Sequence, residues 1–243
     1  MQIQIAVAKI EKYASSESGD TLEMVERPGG GLSVVLVDGQ RSGKSAKAIS
    51  NLVAGKAIAL LSEGVRDGAV ARAVHDYLYM QRNGKVSATL NIVSVDMVTK
   101  TLVLSRNSHC PAIVQTAPGV QIILDELTTP LGVQRITRPQ ISEFPIQIGI
   151  TAVIFTDGVL TAGQRRGTAL DVAQRVDELY CEYEHSGQLA QPLADSLLAA
   201  ALGLDEGRPL DDISVLVLSV VSGDSDGVRR LQASLPIPPL LRP

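Results

Sequence analysis

The sequence predicts an α+β protein of stacked, mainly antiparallel sheets flanked by helix pairs. Three observations carry this. Short strands joined by tight turns open the chain, where a βαβ protein would place a helix after the first strand. Two amphipathic helix patterns then follow back to back, and a second such pair comes after a long strand-rich stretch. Finally, Ile213 to Val221 is apolar almost throughout, the signature of a strand buried on both faces.

The elements follow in order. Gln2 to Ile10 alternates, with Ile3, Ile5 and Val7 on one side, which predicts a half-buried strand. Thr21 to Glu26 reads as a second strand. Pro28-Gly29-Gly30-Gly31 is a turn, and Leu32 to Val37 is a third strand ending at Asp38-Gly39, so a three-stranded meander is expected. From about Lys44 to Val65 the residues Ile49, Val53, Ala57, Leu61 and Val65 recur every fourth position, one face of a long helix. Asp67 is placed to cap a second helix carrying Val70, Ala73, Val74, Tyr77 and Leu78. Strands are expected over 86–95, 101–106, 112–115, 121–124, 141–148 and 152–155, and helices over 169–184 and 188–202. From Ser222 the pattern stops, and Pro236, Pro238, Pro239 and Pro243 crowd the end. Residues 1–221 therefore read as one domain, and 222–243 as a proline-rich tail lying on the surface or left flexible.

The bulk numbers narrow the function. A chain of 243 residues with 45% hydrophobic side chains buries a sizeable core and is not disordered. With two Phe, five Tyr and no Trp, that core is built from Val, Ile, Leu and Ala. The formal charge, 22 − 26 = −4, argues against nucleic acid or an anionic membrane as partner. Cys110 and Cys181 belong to no CxxC pair, which suits a reducing compartment. The first residues lack a secretory pattern, and no apolar run approaches the ~18 residues needed to span a bilayer. A cytoplasmic protein without membrane insertion is expected.

Four acidic sites stand at strand ends: Asp20 after Ser18-Gly19, Asp38 before Gly39, Asp157 before Gly158, and Asp211-Asp212 before Ile213. A carboxylate at the mouth of a buried strand is costly unless its charge is compensated. Several that converge repel one another until a cation arrives, and Mg²⁺ or Mn²⁺ prefer such hard oxygen ligands. Taken singly, Asp-Gly is ordinary turn chemistry, as at Asp67-Gly68 and Asp226-Gly227. Four sites in this order shift the balance toward a shared role.

The order of these sites also carries a resemblance. Asp38-Gly39-Gln40-Arg41-Ser42-Gly43-Lys44-Ser45-Ala46 resembles the D-G-x-G-[HS]-G-x-x-A motif of the SpoIIE-like branch of metal-dependent, PPM-type protein phosphatases. Phe155-Thr156-Asp157-Gly158 resembles its F-T-D-G motif, and Asp211-Asp212-Ile213-Ser214 its D-D-[IM]-[TS] motif. Ala88-Thr89-Leu90, His109-Cys110-Pro111 and Pro130-Leu131-Gly132 are similar to its A-T-L, G-H-x-P and P-L-G segments. Ser42, where many relatives carry His, and the lack of a sensor domain resemble the small stressosome members of the family. The resemblance implies an αββα sandwich holding two Mn²⁺ or Mg²⁺ ions between its sheets. It implies that Asp38 bridges both ions, that Gly39 offers its carbonyl, and that Asp157 and Asp211 ligate the first ion. Asp20 would act at the second ion, directly or through water, with Asp212 an outer neighbour. It further implies in-line hydrolysis of phosphoserine or phosphothreonine by a metal-bridging hydroxide, on a phosphorylated STAS-domain protein or anti-sigma antagonist.

Arg41 departs from the pattern, which has glycine there. It reads either as a strained variant or as a contact for the substrate phosphate. Two other readings compete. Gly39 to Ser45 imitates a P-loop, but that motif requires glycine where Asp38 stands, and a carboxylate would face the phosphates. A phosphatase fold that only binds a partner is the second alternative; three retained carboxylates speak against it.

Overall fold

The computed structural model describes residues 1–223 and 226–236, and among these ten strands and five helices form four layers. The strands are β1 (Gln2–Ile10), β2 (Asp20–Glu26), β3 (Leu32–Asp38), β4 (Leu90–Asp96), β5 (Thr101–Asn107), β6 (Ala112–Ala117), β7 (Val120–Leu124), β8 (Gln140–Pro145), β9 (Thr151–Phe155) and β10 (Ile213–Val221). The helices are α1 (Gly43–Ser62), α2 (Asp67–Arg82), the short α3 (Asp157–Thr161), α4 (Val172–Tyr183) and α5 (Ala190–Leu204). One sheet runs β1-β10-β9-β6-β7 and the other β2-β3-β4-β5-β8; every pairing is antiparallel.

Alternation along the strands builds three cores. In β3, Val34 and Leu36 face the other sheet while Val35 and Val37 face α1 and α2. In β10, Leu216, Leu218 and Val220 enter the inter-sheet core, and Val215 and Val217 pack under α4 and α5. A strand sandwiched in this way must be apolar on both faces, and β10 is buried at all nine positions. The four-residue stripe of α1 performs as read: Ile49, Val53, Ala57 and Leu61 are buried against β3, β4 and α2.

Three expectations are corrected. The opening meander does not form, because β1 pairs with β10 from Gln2↔Val221 to Ile10↔Ile213, in the other sheet from β2. Local turn chemistry cannot reveal that partner, which lies about two hundred residues away. Asp67 is not the cap of α2; Arg66 holds that position, and the Asp67 carboxylate pairs with Arg27. The 86–95 strand begins only at Leu90, since Ala88 makes isolated bridges to Gly39 and Leu131 instead.

Of the proline-rich tail, Arg229 reaches back to Glu26 and to the Gly30 carbonyl. Pro238, Pro239 and Pro243 lie outside the described residues.

Candidate metal centre

The register of the two sheets brings the acidic residues together. In the β2–β3 pair Asp20 stands opposite Asp38, so both sit at the same end of one sheet. In the other sheet Val215 opposes Phe155, and the Thr156 N–H donates to the Ser214 carbonyl at 3.0 Å. Asp157, just past β9, and Asp211, just before β10, therefore emerge side by side. The two ends face each other at the mouth of the sandwich, around a cavity of about 340 Å³. Asp38, Gly39, Arg41, Asp157 and Asp211 line it, with Lys12, Gln40, Ser42, Ser87, Ala88, Thr89, His109 and Pro130.

Asp20 does not line this cavity. Its carboxylate is buried, with 1% of the residue exposed, and Oδ2 accepts hydrogen bonds from Thr156 Oγ1 at 3.0 Å and Ser214 Oγ at 2.5 Å. Lys9 and Lys47 donate to the Asp20 main-chain carbonyl, at 2.6 and 2.7 Å, rather than to the carboxylate. Asp212 is likewise occupied, accepting from the Lys12 N–H at 2.9 Å and the Gly19 N–H at 2.8 Å. It thus braces the β1–β2 loop against the start of β10.

The glycines after Asp38 and Asp157 are required by packing. Neither Gly39 nor Gly158 uses a left-handed backbone, but a Cβ on Gly39 would stand 2.2 Å from the Ala46 carbonyl oxygen. One on Gly158 would stand 2.1 Å from that of Asp212. Arg41, by contrast, does adopt φ +76°, the left-handed region in which a non-glycine residue is strained.

Electrostatics follow from this crowding. Burial pushes the Asp38 carboxyl up to about 9, and the fields of Asp20, Asp157, Asp211 and Asp212 add to it. Asp20 is raised to about 7 by burial, against the hydrogen bond from Ser214. Asp211 is raised by burial, and the Asp212 N–H partly opposes this. Among the described residues no lysine or arginine is ion-paired with any of these carboxylates; only His109 approaches, with Nε2 3.4 Å from Asp157 Oδ2. That hydrogen bond raises the His109 pKa.

A donor set of hard, mutually repelling carboxylates without a cationic partner fits a divalent cation. Among the described residues, no group of three or more His, Cys, Asp and Glu side chains forms a ready-made shell for one ion. The carboxylates share a cavity without closing on a point, and Mg²⁺ commonly completes its octahedron with several waters.

Lys12 and Gln40 escaped the sequence reading. The end of β1 looks like a solvated strand end, and nothing local shows that Lys12 reaches the cavity. The resembling segments near residues 88, 109 and 130 are explained by the fold. Ser87, Ala88 and Thr89 zip onto the loop after β3, with Gln40 N–H donating to the Ser87 carbonyl at 3.0 Å and Thr89 N–H to the Asp38 carbonyl at 2.9 Å. β3 has antiparallel neighbours on both sides, so the P-loop setting, a parallel strand feeding a helix, is absent around it.

The family model for stage II sporulation protein E (SpoIIE) matches residues 28–221. The chain belongs to the SpoIIE family. No curated protein gives a significant sequence match. Solved structures similar to this SpoIIE-family chain include the PP2C phosphatase domain, with a fragment of the regulatory domain, of SpoIIE from Bacillus subtilis. That likeness has a TM-score of 0.74 at 16% identity, covering 92% of this chain and 64% of that one. The serine/threonine phosphatase of S. agalactiae superposes with a TM-score of 0.71 at 12% identity, over 90% of this chain and all of that one. RsbX in complex with magnesium gives 0.64 at 18% identity, over 89% and 94%. In fold the chain thus matches PP2C-type phosphatase domains, with the αββα architecture that the sequence led one to expect.

Proposed function

We propose that this SpoIIE-family chain is a Mn²⁺- or Mg²⁺-dependent phosphoserine/phosphothreonine phosphatase, with residues 1–221 as its catalytic domain. One observation carries the reading: Asp38, Asp157 and Asp211, remote in sequence, line one cavity and, among the described residues, have no lysine or arginine ion-paired with them. The solved magnesium complex of RsbX, similar in fold, supports the choice of cation.

Asp38, Asp157 and Asp211, with the Gly39 carbonyl, would hold the ions, and Asp20, opposite Asp38 on the neighbouring strand of the same sheet, would act at the second ion directly or through water. When bound, such ions make water nucleophilic near neutral pH and neutralise the phosphoryl oxygens during in-line displacement. The chain's residues supply the rest. Asp212 fixes the loop carrying Lys12 and sits next to Asp211. Thr156 and Ser214 lock Asp20 between the two sheets. Arg41, exposed and lining the cavity on a strained left-handed backbone, would meet the substrate phosphate.

By resemblance, the substrate is a phosphorylated STAS-domain regulator or anti-sigma antagonist in a stress or sigma-factor pathway. No helix among the described residues is long and apolar enough to cross a membrane, and the two cysteines are free, Cys110 buried and Cys181 exposed. Both features fit a reducing cytoplasm.

The test is hydrolysis of p-nitrophenyl phosphate and of a phosphoserine-bearing STAS protein with Mn²⁺, with Mg²⁺ and with EDTA. Metal-dependent turnover that disappears in Asp38→Asn supports the proposal. Inert wild-type protein that still captures the phosphoprotein would decide for a binding module instead.

A further inference from the structure

Outside the carboxylate cavity, on the side of Asp211, three loops are tied into one platform. The buried Asp205 carboxylate at the end of α5 holds two of them. Its Oδ1 accepts from the Gly163 N–H at 2.9 Å, and its Oδ2 from the Leu210 N–H at 3.3 Å. The third, just after β1, joins through the Tyr13 N–H, which donates to the Pro209 carbonyl at 3.1 Å. The platform carries three exposed arginines, Arg165, Arg166 and Arg208. They are not scattered. The Arg208 guanidinium lies over the exposed Tyr13 ring, 5.4 Å from its centroid, and Arg165 Nη1 donates to the Arg208 carbonyl at 3.4 Å.

The acids of the two longer loops are already engaged. Asp205 is bound by the main chain, and Glu206 is held by Arg166 at 2.9 Å. Among the described residues Arg165 and Arg208 have no ion-pair partner. In a chain of net charge −4, this is a local excess of positive charge on an acidic molecule. A guanidinium stacked on a ring keeps its N–H edges free, and their fork matches a carboxylate. The net negative charge weighs against nucleic acid or an anionic membrane as the occupant and leaves an acidic stretch of protein. Position names which stretch. Arg208 lies three residues from Asp211, which lines the cavity, so at most about 11 Å of backbone separates them. An extended peptide whose phosphoserine enters the cavity lays the residues a few positions away across the arginines.

We propose that Arg165 and Arg208 form a docking surface for acidic side chains of the substrate protein, about two to four positions from its phosphorylated residue. This rests on the phosphatase reading above and adds the character of the substrate beyond its phosphate. The cavity takes the phosphoryl group, and the arginines select the sequence around it.

The experiment uses the full chain loaded with Mn²⁺ and two phosphoserine peptides that differ only in their flanks, aspartate in one and asparagine in the other. Phosphate release reads kcat/KM for each. Unphosphorylated, fluorescein-labelled versions read docking by anisotropy, without turnover. Wild type should favour the aspartate peptide about five- to tenfold in both assays. That preference should shrink toward unity between about 0.1 M and about 1 M NaCl, as the screening length falls from about 10 to about 3 Å. Arg165→Gln/Arg208→Gln should treat the two peptides alike. Arg165→Glu/Arg208→Glu should favour a lysine-flanked peptide instead, a gain that a misfolded variant cannot produce. Equal use of the two peptides by wild type, or a preference that survives in both variants, overturns the proposal. So does a single-stranded oligonucleotide that binds through these arginines more tightly than the aspartate peptide. Wild type that binds the aspartate peptide through them, yet releases no phosphate from either peptide or from p-nitrophenyl phosphate, sinks the phosphatase reading and keeps the docking surface. Wild type that does neither overturns both.

Discussion

Asp38→Asn should stabilise the metal-free protein while abolishing its activity, and the gain should depend on pH. In the folded chain the Asp38 carboxyl is pushed up from 3.8 to about 9, chiefly by burial and then by neighbouring aspartates. An acid whose folded pKa lies above its unfolded value contributes fully below the unfolded value, and that contribution fades as pH climbs toward the folded one. At about pH 7.5 the unfolded chain has released the proton and the folded chain has kept it. At about 1.36 kcal/mol per pH unit over the interval from 3.8, the cost is of order 3–5 kcal/mol. Asparagine has the same shape and no proton to lose, so it removes that cost. For a chain of this size the difference is of order 10 °C in Tm. The assay is thermal unfolding of EDTA-treated wild type and Asp38→Asn between about pH 4 and 9. The two should melt together at the acid end and diverge as pH rises. Added Mn²⁺ should then raise the wild-type Tm and leave the variant nearly unmoved. A gap that is absent, inverted or indifferent to pH would refute the claim that Asp38 is buried among like charges.

Further outcomes follow from the same geometry. Asp157→Asn and Asp211→Asn should each weaken Mn²⁺ binding at least about tenfold and cut kcat/KM by at least about a hundredfold, measured by titration and steady-state kinetics. Gly39→Ala should cost about 2–3 kcal/mol in denaturant unfolding, because its Cβ meets the backbone of Ala46, which cannot swing aside. Ser214→Ala takes away the 2.5 Å donor to Asp20 and should destabilise the chain by about 1–2 kcal/mol. Arg41→Gly relieves a left-handed arginine, so stability should hold or rise by up to about 1 kcal/mol, while phosphate affinity falls.

Period-two and period-four patterns revealed most elements, because burial on one or two faces leaves a direct trace in residue order. Ile3, Ile5 and Val7 do pack into the inter-sheet core, and the α1 stripe lies where its spacing put it. Partnering was harder to read. β1 looks equally able to join β2 or β10, and only long-range packing decides between them. The helix α4 begins at Val172 rather than near residue 169 because Asp171 caps it, accepting from the Gln174 N–H. At the site, the acidic residues announced themselves through their cost at strand ends. Asp20 shows the limit of that signal: sequence gives the carboxylate but not the two hydroxyls, from Thr156 and Ser214, that donate to it. Lys12 left no trace, since a lysine beyond a strand is ordinary until the fold shows what stands opposite.

The cavity draws Asp38 from one sheet and Asp157 and Asp211 from the other, and the layer between them is largely aliphatic. Grease of that kind resists separation better than it resists sliding. A slip of a single residue step, about 3.3 Å, would carry the halves of the carboxylate ring out of alignment with both ladders still intact. Catalytic competence here is therefore a more demanding gauge of alignment than foldedness, and a variant that melts normally can still be dead.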